Sequence, residues 1–196
     1  MKSRLAILGA GLLIAEAALV LISWILSATM TGHVRSLLSG EGVRWLFGSF
    51  TELLGSPVLV WLVLLLIAAG SMRSSGILRR QQSYRDRMAL RVAVAFLVIY
   101  IVVILLLTAM PHAVLLSSTG SLLPSPFSRS LVAVIAFGLV LLSVTFGLMS
   151  GRLQTLTDVL DSLSEGIRRG APLFILYILA MQFVESLRFV FWLSID

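Results

Sequence analysis

Five long apolar runs limit what this chain can fold into. They cover residues 5–29, 55–72, 91–110, 129–150 and 171–193. An apolar run of about 20 residues crosses the hydrocarbon core of a bilayer as a helix, because every backbone amide must be satisfied inside the segment. With 59% apolar and only 12% charged residues, the composition lies outside the soluble globular range. The sequence therefore predicts an all-α integral membrane protein, with about five transmembrane helices in a single domain over residues 1–196.

The cations are distributed unevenly around these runs. A net charge of +6 would suggest nucleic acid in a soluble domain, but here the cations lie in short loops between apolar runs. They concentrate near the N-terminus and in 73–91 and 152–169, and the other side carries Arg35, Arg44, Arg129 and Arg188. We expect a multi-pass protein with a cytoplasmic N-terminus and no nucleic-acid partner. The first run exceeds a signal-peptide core of about 7–15 residues, so we expect it to be retained.

Two segments outside the runs repeat apolar residues at helical spacing. Residues 41–54 carry Trp45, which is typical of an anchor at the headgroup level. In residues 153–169, leucines alternate with acidic residues such as Asp158. The pattern predicts two interfacial amphipathic helices, the second of which lies on the cytoplasmic membrane surface or on a partner protein.

Glu16 lies in the middle of the first run, in LLIAEAALV. A carboxylate at that depth is unfavourable by a few kcal/mol unless it is paired, protonated or hydrated, so it indicates a substrate or proton pathway. The alternative is a protonated Glu16 that hydrogen-bonds a neighbouring helix or holds an oligomer together.

The fifth run carries a polar face formed by Gln182, Glu185 and Arg188, which follow one another at intervals of three residues. Side chains at this spacing share one side of a helix. We predict that they belong to the same pathway as Glu16, with Arg188 paired either with Glu16 across helices or with Glu185 within one helix. A purely structural or assembly pair is the alternative.

Gly138, Gly147 and Gly151 on the fourth run predict close helix packing, because small residues let helix backbones approach in a membrane. Nothing in the chain suggests an enzyme: we find no nucleophile with a positioned base, no group of residues with metal-ligand spacing and no phosphate-binding glycine loop. We therefore expect no catalysis, no metal and no cofactor.

Four stretches, SLLSGEGVRWLF, SLLPSPF, FGLMSG and the run from TDVLDS to AMQF, follow one another in the chain. In that order they resemble segments of the AbgT family, the aminobenzoyl-glutamate transporters, over about 34–78 and 105–193. The matching positions are Phe146, Gly147 and Gly151 at a small-residue helix end, Asp158 and Val159 in an acidic stretch, and Ala180, Gln182 and Phe183 in an aromatic-rich one.

The resemblance implies a bacterial-type inner-membrane transporter of small organic anions or drug-like solutes, such as aminobenzoyl-glutamate and sulfonamides. Members of the family are more than twice as long and consist of two related halves, each with a re-entrant hairpin that touches the substrate. We expect this chain to be a short form that keeps the frame and lacks the hairpins. It would then work as a homo-oligomer in the lipid bilayer, or act as a non-transporting scaffold or accessory subunit of a larger membrane complex.

Overall fold

The computed structural model describes residues 2–29, 34–79, 83–109 and 126–191, and within these ranges all regular structure is helical. The helices in chain order are α1 (Lys2–Thr29), α2 (Gly40–Leu54), α3 (Pro57–Ser75), α4 (Tyr84–Ala109), α5 (Pro126–Ser150) and α6 (Leu156–Phe191). Of these, α1, α3, α4, α5 and α6 are long and apolar enough to cross a membrane. The predicted all-α fold with five candidate spans is confirmed.

Helix α4 extends well beyond its predicted span. It begins at Tyr84 rather than at residue 91, with Asp86 in its first turn, where the helix dipole favours a negative charge. The Arg87 amide donates to the Ser83 carbonyl at 3.2 Å and closes that turn. The apolar run therefore predicted the hydrophobic part of α4 and not the start of the helix. Residues 110 and 192–193 of the predicted spans lie outside the described residues.

Helix α6 joins two segments that the sequence analysis separates. The predicted interfacial helix 153–169 and the predicted span 171–193 form one helix of 36 residues that continues through Pro172. Such a helix is about 54 Å long, whereas the hydrocarbon core measures about 30 Å. Part of α6 therefore extends outside the membrane. We assign this to its charged start, which includes Asp158, because Gly166 already packs beside Leu66 of the candidate span α3.

The chain divides into two compact units, which are described separately. Unit 1 comprises Met1–Leu59 and Ala171–Asp196, and unit 2 comprises Val60–Gly170. The single-domain organisation stays a prediction.

In unit 1, α1 packs against the second half of α6. Gly9 lies opposite Leu176, and Leu19 and Val190 share a buried core with Leu37. Because the residue numbers rise together along both helices, the two helices run in the same direction. The first and last of five alternating spans must be parallel in this way.

The segment before α2 closes one end of unit 1. The Leu37 amide donates to Ser23 Oγ at 3.3 Å, the Arg35 amide donates to the Val190 carbonyl, and the Trp45 and Phe189 rings stack at 4.6 Å. Helix α2 begins after Ser39, whose hydroxyl accepts from the Gly42 amide at 3.0 Å as an N-cap.

In unit 2, α3 packs closely against the first part of α6. A Cβ at Gly166 would overlap the Leu66 carbonyl oxygen, and a Cβ at Gly70 would overlap the Gly166 backbone. Only glycine permits backbones to approach this closely. The buried face of this part of α6 is thus Ser162, Gly166 and Gly170, whereas Leu156 and Leu160 are 89% and 67% exposed. The leucine pattern predicted a contact with the membrane surface or with a partner protein, whereas the contact within unit 2 is made by these small residues.

Candidate functional site

Glu16 lies at the centre of the first span and contacts α6 through a serine. Ser186 Oγ donates to Glu16 Oε1 at 2.7 Å, and Gln182 Nε2 donates to Ser186 Oγ at 3.2 Å. These three residues form a hydrogen-bonded polar cluster within unit 1. The structure therefore brings together two of the predicted pathway residues, Glu16 and Gln182, and adds Ser186.

The sequence places these groups on facing sides of two parallel helices. Gln182 and Ser186 are four residues apart on α6, and this spacing puts them one above the other on the same face. Ser186 is completely buried. Its hydroxyl links the side-chain amide of Gln182, on the same helix, to the carboxyl group of Glu16 on α1. The sequence analysis missed Ser186, although its spacing from Gln182 was a usable signal.

Two oxygens of the polar cluster are buried without a hydrogen-bond partner among the described residues. They are Glu16 Oε2 and Gln182 Oε1. Buried polar atoms are nearly always paired, and leaving one unpaired is destabilising by roughly 1–3 kcal/mol. The two oxygens therefore keep an unused capacity to accept hydrogen bonds.

A groove approaches the polar cluster from the side opposite the Leu19–Val190 core. It lies within unit 1, has a volume of about 590 Å³ and is lined by apolar residues and a glycine, among them Leu13 and Leu179. Leu13 precedes Glu16 by three residues and Leu179 precedes Gln182 by three residues, so the groove ends about one helical turn from the cluster. An apolar cleft with a few convergent polar groups is the usual composition of a small-molecule site.

Glu185 and Arg188 lie apart from this cluster. Arg188 Nη1 and Glu185 Oε1 form an ion pair at 2.6 Å within α6, and the Arg188 side chain is 42% exposed. Of the two pairings that the sequence left open, the structure contains the one within the helix. The positive charge of Arg188 is thus compensated by Glu185 and not by Glu16.

The predicted packing glycines have different structural roles in unit 2. A Cβ at Gly138 would lie 3.1 Å from the Tyr100 ring of α4. One at Gly147 would overlap the Leu153 side chain, which follows α5, and would lie 3.4 Å from Ser75 of α3. Gly151 instead ends α5 with a φ of 74°, a conformation that side-chain-bearing residues rarely adopt. The close contacts of Gly70 and Gly166 were not foreseen, because the two residues lie far apart in the chain.

The described part of the chain contains no candidate metal site. No group of three or more His, Cys, Asp or Glu side chains there could hold a metal ion.

One comparison with known proteins gave a match. The family model described as the AbgT putative transporter family matches residues 79–190, more than half of the chain. The matched range includes most of the later block of the resemblance, with Gln182, Glu185, Ser186 and Arg188, but not residues 34–78 or Glu16. No curated protein and no solved structure shows a significant match to the chain.

Proposed function

We propose, on the premise that the chain belongs to the AbgT putative transporter family, that it carries small organic anions or drug-like solutes across a membrane. The family is one of transporters and not a class of enzymes. The chain itself is a multi-pass membrane protein with five helices capable of spanning, counted over the described residues. Aminobenzoyl-glutamate and sulfonamides are the solutes that we propose to test first.

The observation that carries this proposal is the polar cluster at the end of the apolar groove. Glu16, Gln182 and Ser186 place carboxyl, amide and hydroxyl groups at mid-membrane depth, and two of their oxygens have no described partner. A drug-like solute would place its apolar part in the groove and donate hydrogen bonds to these oxygens. Because a carboxyl group can also take up and release a proton, Glu16 is the residue that we assign to proton coupling.

Further parts of the proposal concern assembly and orientation. The described residues that line the groove come from two helices, α1 and α6, and we propose that a second copy of the chain completes the pathway in a homo-oligomer. We propose the bacterial inner membrane as the location, with the N-terminus in the cytoplasm, since most arginines lie on that side.

Flux into liposomes tests the proposal. The purified full chain should move aminobenzoyl-glutamate or a sulfonamide into vesicles in response to a proton gradient. We expect Glu16→Gln to reduce this proton-driven flux about ten-fold or more, because the glutamine amide cannot take up and release a proton. Glu41→Gln is the matched control, since Glu41 lies on the surface of α2 and pairs with Arg35. Correctly inserted protein that gives no flux above empty vesicles would contradict transport.

A second candidate function is a non-transporting scaffold or accessory subunit. It is favoured by the exposed Leu156 and Leu160 side chains on the part of α6 that extends outside the membrane, because exposed apolar residues there suit a partner protein. Purification in a mild detergent separates the two functions. Solute flux by a chain that purifies with no other protein, alone or as a homo-oligomer, would exclude the subunit function.

A further inference from the structure

Unit 2 contains a second pocket, which the proposed function does not use. It has a volume of about 380 Å³ and lies where α3 ends, and we call it the arginine pocket. Its lining residues are Arg73, Ser74, Gly76, Leu78, Arg79 and Arg169.

The arginine pocket carries more positive charge than the nearby carboxylates neutralise. The described carboxylates of unit 2 are otherwise engaged: Asp86 pairs with Arg152, Asp161 with Arg168 and Glu165 with Arg169, and Asp158 accepts from backbone amides. Arg73 and Arg79 therefore have no carboxylate partner among the described residues. Arg169 uses Nε for Glu165, which leaves its other N–H donors free for the pocket.

The backbone that carries these arginines is held in a fixed turn. The Gly76 amide donates to the Arg73 carbonyl at 3.2 Å, and the Arg79 amide donates to the Gly76 carbonyl at 3.0 Å. Gly76 has a φ of 72°, and Arg152 anchors the adjoining end of α3 by donating to the Ser75 carbonyl at 3.1 Å. The turn orients Arg73 and Arg79 before any ligand binds.

The chain also fixes the depth of the arginine pocket. Arg73 lies in the last turn of α3, a candidate span, and Arg169 lies two residues before the apolar stretch that begins at Ala171. Arginines at the ends of membrane spans lie at the level of the lipid headgroups. Guanidinium groups bind phosphate through two parallel N–H···O bonds.

We propose that the arginine pocket binds a phosphate group through Arg73, Arg79 and Arg169. The phosphate belongs either to an anionic phospholipid headgroup or to a soluble phosphate. This inference does not rest on transport, because binding is measured without any solute flux.

The experiment uses the purified full chain in a neutral detergent. Native mass spectrometry counts phosphatidylglycerol and phosphatidylcholine molecules bound per chain, and calorimetry measures the binding of inorganic phosphate. We expect one retained phosphatidylglycerol for the lipid source, or saturable phosphate binding for the soluble source. Arg73→Gln and Arg79→Gln should each weaken binding about five-fold. Arg87→Gln, an exposed arginine outside the pocket, is the matched control and should retain wild-type affinity.

A pair of variants at Leu78 distinguishes a loss of binding from a loss of the fold. Leu78 lines the pocket and is 69% exposed, so replacing it should leave the fold intact. Leu78→Glu should abolish binding by placing a negative charge in the pocket, whereas Leu78→Gln should preserve it. Failure of both lipid and phosphate to bind, or equal losses for Arg87→Gln and Arg73→Gln, would overturn the proposal in favour of a diffuse positive surface.

Discussion

Ser186 links the two helices that form the polar cluster, so its hydroxyl has a testable structural effect. Ser186→Ala leaves Glu16 without its described hydrogen-bond donor, and we expect a loss of about 1–3 kcal/mol in the free energy of unfolding. Denaturant unfolding in detergent micelles measures this loss. Ser27→Ala is the control, because the half-buried Ser27 donates an exposed hydrogen bond to the Trp24 carbonyl of its own helix. Equal stability of the two variants would show that the bond to Glu16 contributes nothing.

Asp158 caps the start of α6 outside the membrane-spanning part of that helix. Its carboxylate accepts from the Gln154 and Thr155 amides at 2.9 Å, and the Thr155 hydroxyl accepts from the Asp158 amide. This reciprocal arrangement is a capping box. The pKa of Asp158 is lowered below its ordinary value by the hydrogen bond from the Gln154 backbone and then by those from the Thr155 backbone and side chain.

The lowered pKa predicts how the cap responds to pH. A carboxyl group whose pKa falls on folding stabilises the folded state above its unfolded pKa, and this contribution is lost as the pH falls through the folded pKa. We therefore expect the amides of the first turn of α6 to lose protection from hydrogen exchange below about pH 4, after correction for intrinsic rates. Asp158→Asn should show weaker protection at pH 6 and little further change on acidification. A wild-type profile in that variant would contradict the cap.

At the scale of elements, the crossing of α3 and α6 in unit 2 is set by glycine. Gly166→Ala would place a methyl group against the Leu66 carbonyl, so the helices must separate and lose contacts along the crossing. We expect a destabilisation of about 3 kcal/mol or more, measured as a lower midpoint of thermal unfolding and a lower folded yield. Gly11→Ala is the matched control, since nothing lies within 4 Å of its Cβ, and its effect should be neutral or slightly stabilising. Similar midpoints for the two variants would disprove the close crossing.

Some features of the helices could be predicted from the sequence and others could not. The five spans followed from apolar length, because the bilayer imposes that length on every crossing helix. The continuity of α6 through Pro172 was not predictable by the same argument, because a helix within a membrane tolerates proline when its neighbours satisfy the freed backbone groups.

Contacts between distant residues were harder to predict than elements. Glu16 and Gln182 were recognised separately by their rarity in apolar runs, and only the parallel packing of α1 and α6 brought them to Ser186. The leucines of residues 153–169 predicted a contact with the membrane surface or with a partner protein, but Gly166 and Gly70 allow a closer approach than any leucine does. Periodicity describes one helix at a time, whereas these contacts depend on its partner.

At the scale of the molecule, the direction of the helices and the distribution of charge point to one topology. Helix α1 and the second half of α6 run parallel within unit 1, as five alternating spans require. We propose that the arginine-rich segments 73–91 and 152–169 share a side of the membrane with the N-terminus. By the positive-inside rule, that side would be the cytoplasm.

Cysteine labelling can test this topology directly, because the chain has no cysteine and each introduced thiol is unique. We expect Leu38→Cys, in the exposed turn before α2, to react with a membrane-impermeant maleimide in intact cells. Ser3→Cys, at the start of α1, should react only after the membrane is permeabilised. Both positions belong to unit 1, and α1 separates them, so one span determines the outcome. Labelling of both in intact cells would show that α1 does not cross the membrane, and the reverse pattern would place the N-terminus and the arginine-rich segments outside.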